Sequence, residues 1–326
     1  MSSSSPPSGG RTLSYLEGLN EAQMEAVTAT IPSITRVVAG PGAGKTRVLT
    51  CRILHLLRSE GSGRILAVTF TKKAADEMQT RLNKMYEQLK QDRGLPVPTD
   101  DYGPHGIDRV TLGTFHSVCS KILRWNGQQL ALLPTIQEAM AESTNATNLD
   151  GAFAILDQGD QLRLVKQLLK AEGIDLSKEK KTVKALTILN CFPKLKAGEV
   201  DAKQIRRNPA MRIADLIFPQ YREHLYANNA LDFDDLIFLT RELLETREEI
   251  RESMQRRWRH MLVDEFQDTS KLQLELVKLL SGKSLLVVGD ADQSIYSWRG
   301  AHVESMVDFD TEFPGTETVY LMENYR

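Results

Sequence analysis

The run Val37-Val38-Ala39-Gly40-Pro41-Gly42-Ala43-Gly44-Lys45-Thr46 is an apolar segment that ends in a glycine-rich turn. A turn of this kind, opening a helix, converges backbone N–H groups on a phosphate. Lys45 would then reach the outer phosphates, and the Thr46 hydroxyl would ligate Mg²⁺. Ala39 stands where the phosphate-loop pattern has its first glycine; Gly40, Pro41, Gly42, Ala43 and Gly44 complete the cradle. Far downstream, Met261-Leu262-Val263 is a second apolar run, followed at once by Asp264 and Glu265. Ligands of open α/β sheets bind at strand C-termini. Asp264 is suited to hold Mg²⁺ and Glu265 to orient or deprotonate a water, which together make a nucleoside-triphosphate hydrolysis site. The competing reading of the second run is a solvated acidic strand end.

These groups need a parallel sheet to bring them to one edge, and the chain offers its strands in order. Asn20 caps a helical pattern through Val27, in which Gln23 is either an adenine contact or a surface helix residue. Arg47 follows the loop and is either a base-stacking guanidinium or a solvated helix arginine. Residues 65–70 read as a buried strand ending in Phe70-Thr71-Lys72-Lys73. An aromatic beside hydroxyls and lysines suits base stacking with phosphate contacts, although Phe70 by itself also suits a core. Residues 110–117 repeat the theme with Thr114, Phe115 and His116, the last being a nucleic-acid contact or a histidine at a helix start. Between residues 125 and 229 the strand pattern gives way to helical periodicity, read as a helical insertion whose charged runs are solvated faces or duplex contacts. Residues 284–289 are a further buried strand, followed by Gln293, Tyr296, Trp298 and Arg299. Gln293 could read a terminal phosphate while Tyr296 and Trp298 face bases.

Composition bounds the rest. A chain of 326 residues with 41% apolar content can bury a sizeable core. The sequence has no apolar run near the ~20 residues that span a bilayer, and no membrane partner is expected. The Ser/Pro/Gly-rich start reads as a disordered tail with only a faint likeness to an organellar transit peptide. Cys51, Cys119 and Cys191 share no metal-ligand spacing and read as reduced thiols, so the expected compartment is intracellular: cytoplasm in a bacterium, nucleus or an organelle in a eukaryote. A net charge of −2 gives no overall pull toward nucleic acid, so such binding must rest on a local surface.

The ordered set of segments resembles the UvrD/Rep/PcrA-type superfamily 1 DNA helicases. LNEAQMEAV (19–27) looks like the adenine-reading Q motif, AGPGAGKTRVL (39–49) motif I, TFTKKAADEM (69–78) motif Ia and GTFHS (113–117) motif Ib. LDFDDLI (231–237) looks like the segment before motif II, VDEFQDT (263–269); GDADQSIYSWRGA (289–301) looks like motif III and LMENYR (321–326) motif IV. The resemblance implies adenine contacts from Gln23, Arg47 and Tyr325, and phosphate contacts from Lys45, Gln293 and Arg326. It implies Mg²⁺ at Thr46 and Asp264, with Glu265 as catalytic base. Single-strand contacts would come from Phe70, Thr71, Lys72, Thr114, His116, Tyr296, Trp298 and Arg299, and Gln267 and Arg299 would link the two sites. Pro41, Ala43 and Lys72 depart from the common pattern of the family.

The fold so implied is α/β, a RecA-like P-loop NTPase domain with a parallel sheet and an inserted all-helical subdomain. The expected layout is a tail over 1–12, the RecA-like domain over 13–120 and 231–326, and the helical insertion over 121–230. The implied activity is ATP-dependent 3′–5′ DNA translocation, with ATP and Mg²⁺ as cofactors and single-stranded DNA and single-strand/duplex junctions as partners. The family has a second RecA-like domain, which this sequence does not contain. The chain is therefore expected to be an N-terminal portion that works with that domain or with a protein partner, in an oligomeric state the sequence leaves open. Motor of a helicase-nuclease and ATP-gated single-strand binding module are the other roles compatible with these residues.

Overall fold

The computed structural model describes residues 14–58, 63–91, 106–141, 143, 147, 149–178, 183–282, 284–290, 306 and 308–325. The 1–12 tail and the expected site residues Gln293, Tyr296, Trp298, Arg299 and Arg326 lie outside the described residues.

The chain begins with α1 (Glu21–Thr28), β1 (Ser33–Ala39), α2 (Lys45–Arg58), β2 (Arg64–Thr69), α3 (Lys72–Gln91) and β3 (Val110–Thr114). Next come α4 (Phe115–Trp125), α5 (Gly127–Leu130), α6 (Pro134–Met140), β4 (Ala154–Ile155) and α7 (Gln158–Ala171). After α8 (Ala185–Leu189), α9 (Phe192–Lys196), α10 (Ala202–Arg207) and α11 (Pro209–Ala227), β5 (Ala230–Leu231) leads into α12 (Phe233–Thr246) and α13 (Glu248–Arg257). The last elements are β6 (Trp258–Val263), α14 (Lys271–Leu280), β7 (Ser284–Gly289) and β8 (Glu317–Leu321). These form two compact units, one made of the chain through Thr114 and from Glu252 onward, the other of Phe115–Arg251.

In the first unit, strands pair in the order β3-β2-β6-β7-β1-β8, all parallel. Every residue of β7 is buried, and β2 is buried from Ile65 onward, which explains their unbroken apolar runs. The edge strand β8 is buried only at alternate positions near its end. Parallel register brings Thr114, Thr69, Val263, Gly289, Ala39 and Leu321 to the same edge of the sheet. α2 is buried almost all round, from Val48 to Leu57. Its Arg52 donates from Nη1 to the carbonyls of Val27 (2.9 Å) and Ala29 (2.7 Å), closing the C-terminal end of α1. This is the α/β domain with a central parallel sheet that the sequence implies.

The second unit is helical. Its limits, 115–251, lie outside the 121–230 expected from the sequence, because α4 buries Phe115, Val118, Cys119, Ile122 and Leu123 on one face and packs on α12. It also holds a strand pair that periodicity did not signal, β4 beside β5, since two residues cannot display a period of two. A buried ion cluster fixes the start of α12. Lys196 Nζ donates to Asp232 Oδ1 (2.5 Å) and Asp235 Oδ1 (2.7 Å). The Tyr221 hydroxyl donates to Asp232 Oδ2 (3.0 Å) and that of Tyr226 to Asp235 Oδ1 (3.3 Å). Asp232 also caps the helix by accepting from the Asp235 N–H (2.9 Å). Removing the one cation would leave two buried carboxylates facing each other. Lys196→Met is therefore expected to destabilise this unit by about 3–5 kcal/mol, measured by urea unfolding; a loss below about 1 kcal/mol would show that the cluster is not held by charge.

Candidate active site

β1 ends at Ala39, whose methyl is fully buried, so alanine is accommodated where the loop pattern has glycine. The loop then turns through Gly42 (φ 78°) and Gly44 (φ 87°) and opens α2 at Lys45. Gly44 has no substitute: a Cβ there would lie 2.8 Å from Gln23 Nε2, in a backbone region that L side chains rarely adopt. The first turn of α2 directs its N–H groups into the loop, which is the geometry that receives phosphate.

Gln23 is buried rather than on the helix surface. Its Oε1 accepts from the Asn20 N–H (3.2 Å) and its Nε2 donates to the Ala43 carbonyl (3.0 Å), tying α1 to the phosphate loop. On the other side of the loop, the Tyr325 N–H donates to the Gly42 carbonyl (3.1 Å), and the Tyr325 hydroxyl accepts from Asn20 Nδ2 (2.9 Å). The exposed Arg47 donates to the Glu17 carbonyl (2.6 Å). The three residues expected to contact adenine thus all border the loop, with the Tyr325 ring 54% exposed.

The acidic pair sits at the end of β6, two strands from β1. Lys45 Nζ lies 3.3 Å from Glu265 Oε2. Glu265 has a left-handed backbone (φ 48°, ψ 47°), and its N–H donates to Asp264 Oδ1 (3.0 Å). The Gln267 amide bridges two strand ends: Nε2 donates to Glu265 Oε2 (2.8 Å), and Oε1 accepts from the N–H of Asp290, just past β7 (3.0 Å). Gly289 is needed beneath it, because a Cβ there would come within 2.6 Å of Gln267 Oε1. Burial first, then the Glu265 carboxylate, push the Asp264 carboxyl up to about 6, against the pull of Lys45. Asp268 is raised to about 6 by the same two influences.

These residues fit Mg²⁺ and a nucleoside triphosphate. The acids Asp264, Glu265 and Asp268 crowd one lysine, Asp268 Oδ1 is buried without a hydrogen-bond partner among the described residues, and hard oxygen donors from a hydroxyl and a carboxylate suit a small hard cation. Among the described residues no group of three or more His, Cys, Asp or Glu could hold a metal ion. Thr46, half-buried on the first turn of α2, and Asp264 would hold Mg²⁺, and it would neutralise charge on the phosphate oxygens. Lys45 would bind phosphate, and Glu265 would accept a proton from the attacking water.

The expected single-strand contacts of this unit lie along the same edge, beyond β6. Phe70 is half-buried and Thr71 and Lys72 are exposed just past β2. Thr71 caps α3, its Oγ1 accepting from the Ala74 N–H (3.1 Å). Thr114 ends β3, in register with Thr69. In the helical unit, burial lowers the pKa of His116 below its ordinary value, so it is neutral at pH 7. Its ring meets the edge of Phe233 (centroids 5.9 Å, 73°). Phe233 is 48% exposed, a large apolar group at the N-terminus of α12 that the sequence reading passed over. Its signal was an aromatic between Asp232 and Asp234, the least favourable place for a core residue. Asp268 was also passed over, although it is the third acid within five residues.

Residues 19–314 match the UvrD/REP helicase N-terminal domain family. The chain belongs to this family. It is 35% identical over 315 residues, 95% of its length, to proteins named ATP-dependent DNA helicase PcrA from Staphylococcus epidermidis and Staphylococcus aureus. The chain spans 38% of the length of those relatives. Membership in the UvrD/REP family accords with the order of strands and loops, since each motif falls at the end of a strand of one sheet or at a helix start.

The raised Asp264 has a direct consequence. The folded protein holds this proton up to about pH 6, whereas an ordinary aspartate releases it near 3.8. Between those values the native state binds more protons than the unfolded chain, so this group's contribution to stability falls as pH rises through the window. A metal at Asp264 must displace that proton. Mg²⁺-dependent nucleotide affinity is therefore expected to weaken below about pH 6, by roughly tenfold per unit. Fluorescent-nucleotide titrations from pH 7.5 to 5 check this, and a flat profile would remove Asp264 from the metal site.

Proposed function

We infer that this chain is the nucleotide-binding and single-strand-binding portion of an ATP-dependent DNA helicase that moves 3′ to 5′ along single-stranded DNA. ATP with Mg²⁺ is its fuel, and single-stranded DNA and single-strand/duplex junctions are its substrates, in an intracellular compartment. The observation that carries the reading is the Gln267 bridge. One amide holds the water-activating carboxylate at the end of β6 and the first residue after β7, where motif III begins. A hydrolysis site unconnected to any second ligand has no use for such a link.

Lys45 Nζ lies 3.3 Å from Glu265 Oε2. Phosphates would draw Lys45 away and leave the carboxylate to the water, so the base becomes available only once substrate is seated. Gln267 would report that change to β7 and the segment after it. Phe70, Thr71, Lys72, Thr114 and His116 would hold the strand by stacking and phosphate contacts.

The test is steady-state ATP hydrolysis with and without single-stranded DNA, with Glu265→Gln and Gln267→Ala alongside. DNA-stimulated turnover is expected, reduced at least ~10²-fold by Glu265→Gln. Gln267→Ala is expected to keep ATP binding while losing most of the stimulation. Stimulation that survives in Gln267→Ala would sink the coupling role, and ATP turnover unchanged in Glu265→Gln would sink the assignment of the base.

A further inference from the structure

β1 lies between β7 and β8, and a parallel strand inside a sheet ordinarily carries an unbroken apolar run. Arg36 interrupts it. The residue stands midway along the strand, in register with Val287 of β7 and Thr318 of β8, on the face opposite the buried Thr35, Val37 and Ala39. Its guanidinium joins β1 to β8 and to the chain around residues 306–310. Nε and Nη2 donate to Thr318 Oγ1 (3.2 and 2.9 Å), Nη1 donates to the Met306 carbonyl (3.0 Å), and Nη2 also meets Asp310 Oδ2 (2.8 Å). The same group lies 5.8 Å from the centroid of the Phe309 ring.

Stability alone gives no reason for this arrangement. Asp310 is largely exposed, so its ion pair adds little. An aliphatic side chain would fill position 36 without the cost of desolvating a charge. What only the planar fork supplies is direction, since it fixes a hydroxyl, a carbonyl and a carboxylate at set angles to one another.

The chain so fixed touches both neighbours of the proposed base. Phe309, fully buried, meets Phe266 edge-on and stacks on Phe313 at 4.6 Å. The Met306 sulfur and Gln267 Oε1 crowd the same face of Gly289, 3.2 and 2.6 Å from where a Cβ would stand. Phe266 and Gln267 follow Glu265 directly, and Gln267 holds its carboxylate. The far end of the short helix Phe309–Glu312 is tied separately, through the pair of Glu312 with Lys278 of α14. Arg36 therefore sets the near end, where the contacts with the Glu265 turn are made.

We propose that Arg36 is a positioning residue for Glu265: by clamping Met306 and Asp310 to β1 and β8 it seats Phe309 against Phe266 and Met306 beside Gln267, and so keeps the carboxylate where the attacking water is received. This rests on the ATP-hydrolysis reading above. Arg36 itself touches neither phosphate nor water; its loss misplaces the base and leaves nucleotide binding alone.

The test is steady-state ATP hydrolysis by the whole chain, with Glu265→Gln alongside. Arg36→Met is expected to lower kcat about 10- to 100-fold, the effect of displacing a reacting group by up to about 1 Å. KM should stay within about twofold, because the phosphate loop is untouched. The urea midpoint and the stoichiometry of fluorescent-ADP binding should match wild type. Phe309→Leu is expected to lower kcat by itself but to add less than about threefold in the Arg36→Met background, since both remove one support. Asp310→Ala, which opens no interior space, should lower kcat in the same sense by a smaller factor, and it takes the place of Arg36→Met if that variant does not fold. Unchanged kcat overturns the proposal. So does a fall matched by lost ADP stoichiometry, which marks a purely structural residue, or effects of Arg36→Met and Phe309→Leu that multiply in full. Turnover unaffected by Glu265→Gln would instead overturn the assignment of the base on which the proposal stands.

Discussion

The chemistry of the sheet edge depends on one backbone conformation. Glu265 is a non-glycine residue in the left-handed region, which costs roughly 1–2 kcal/mol. The cost is tolerated because the surroundings over-determine the turn. The Asp264 carboxylate receives the Glu265 N–H, the Glu265 carbonyl receives the Asp268 N–H, and Gln267 holds the side chain. Phe266, fully buried, locks the turn from below by meeting Phe309 edge-on at 5.3 Å. An extended residue 265 would carry its carboxylate on along β6; the left-handed one turns it toward Lys45. The glycine at 289, the amide at 267 and the aromatic at 266 are consequences of that single turn.

The two units bury carboxylates in opposite ways, and the contrast separates structure from function. In the helical unit Asp232 and Asp235 share Lys196 and two tyrosine hydroxyls, so that the charge is matched within the fold. At the sheet edge Asp264 and Asp268 are left high, with their ordinary ionisation opposed by burial and by the Glu265 carboxylate, against the pull of Lys45 on both and of the Glu265 N–H on Asp264. A fold selected for stability alone would neutralise that cluster with a second internal cation. The imbalance is what the proposed Mg²⁺ and nucleotide would neutralise.

Much of this was legible in sequence, because it is written in runs. The apolar runs 37–39, 65–68, 261–263 and 285–288 are continuous, and each hands the chain to a polar loop at the same edge, so the order of the motifs is the order of the strand ends. What escaped was written in single residues whose meaning depends on distant partners. Gln23 stayed open between an adenine contact and a surface helix residue, and only its bond to the loop 20 residues on shows it buried. Phe233 gave no reading of its own in the sequence, and only the bonds of Lys196 to Asp232 and Asp235, which turn those two carboxylates inward, leave its ring outside. The limits of the helical unit escaped for the same reason: α4 follows β3 without a break, and only its packing on α12 shows where it belongs.

Strand spacing sets how the two halves of the edge can communicate. Phe70 follows β2 and Lys45 follows β1, and β6 and β7 lie between them. At ~4.8 Å per strand the separation is about 14 Å, beyond the ~8 Å over which charges in physiological salt sense each other well. Occupancy of one end by phosphates cannot therefore be felt at the other through the field alone. It must pass through groups in contact, and a contact that spans β6 and β7 has to be long, rigid and able to bond at both ends. Glutamine meets these needs with one planar amide that donates on one side and accepts on the other. An aspartate or glutamate at 267 could accept from Asp290 but would repel Glu265, and a lysine could hold Glu265 but offer nothing to the Asp290 N–H. Of the common polar side chains, an amide of this length is the one whose two ends match the two partners that the fold presents.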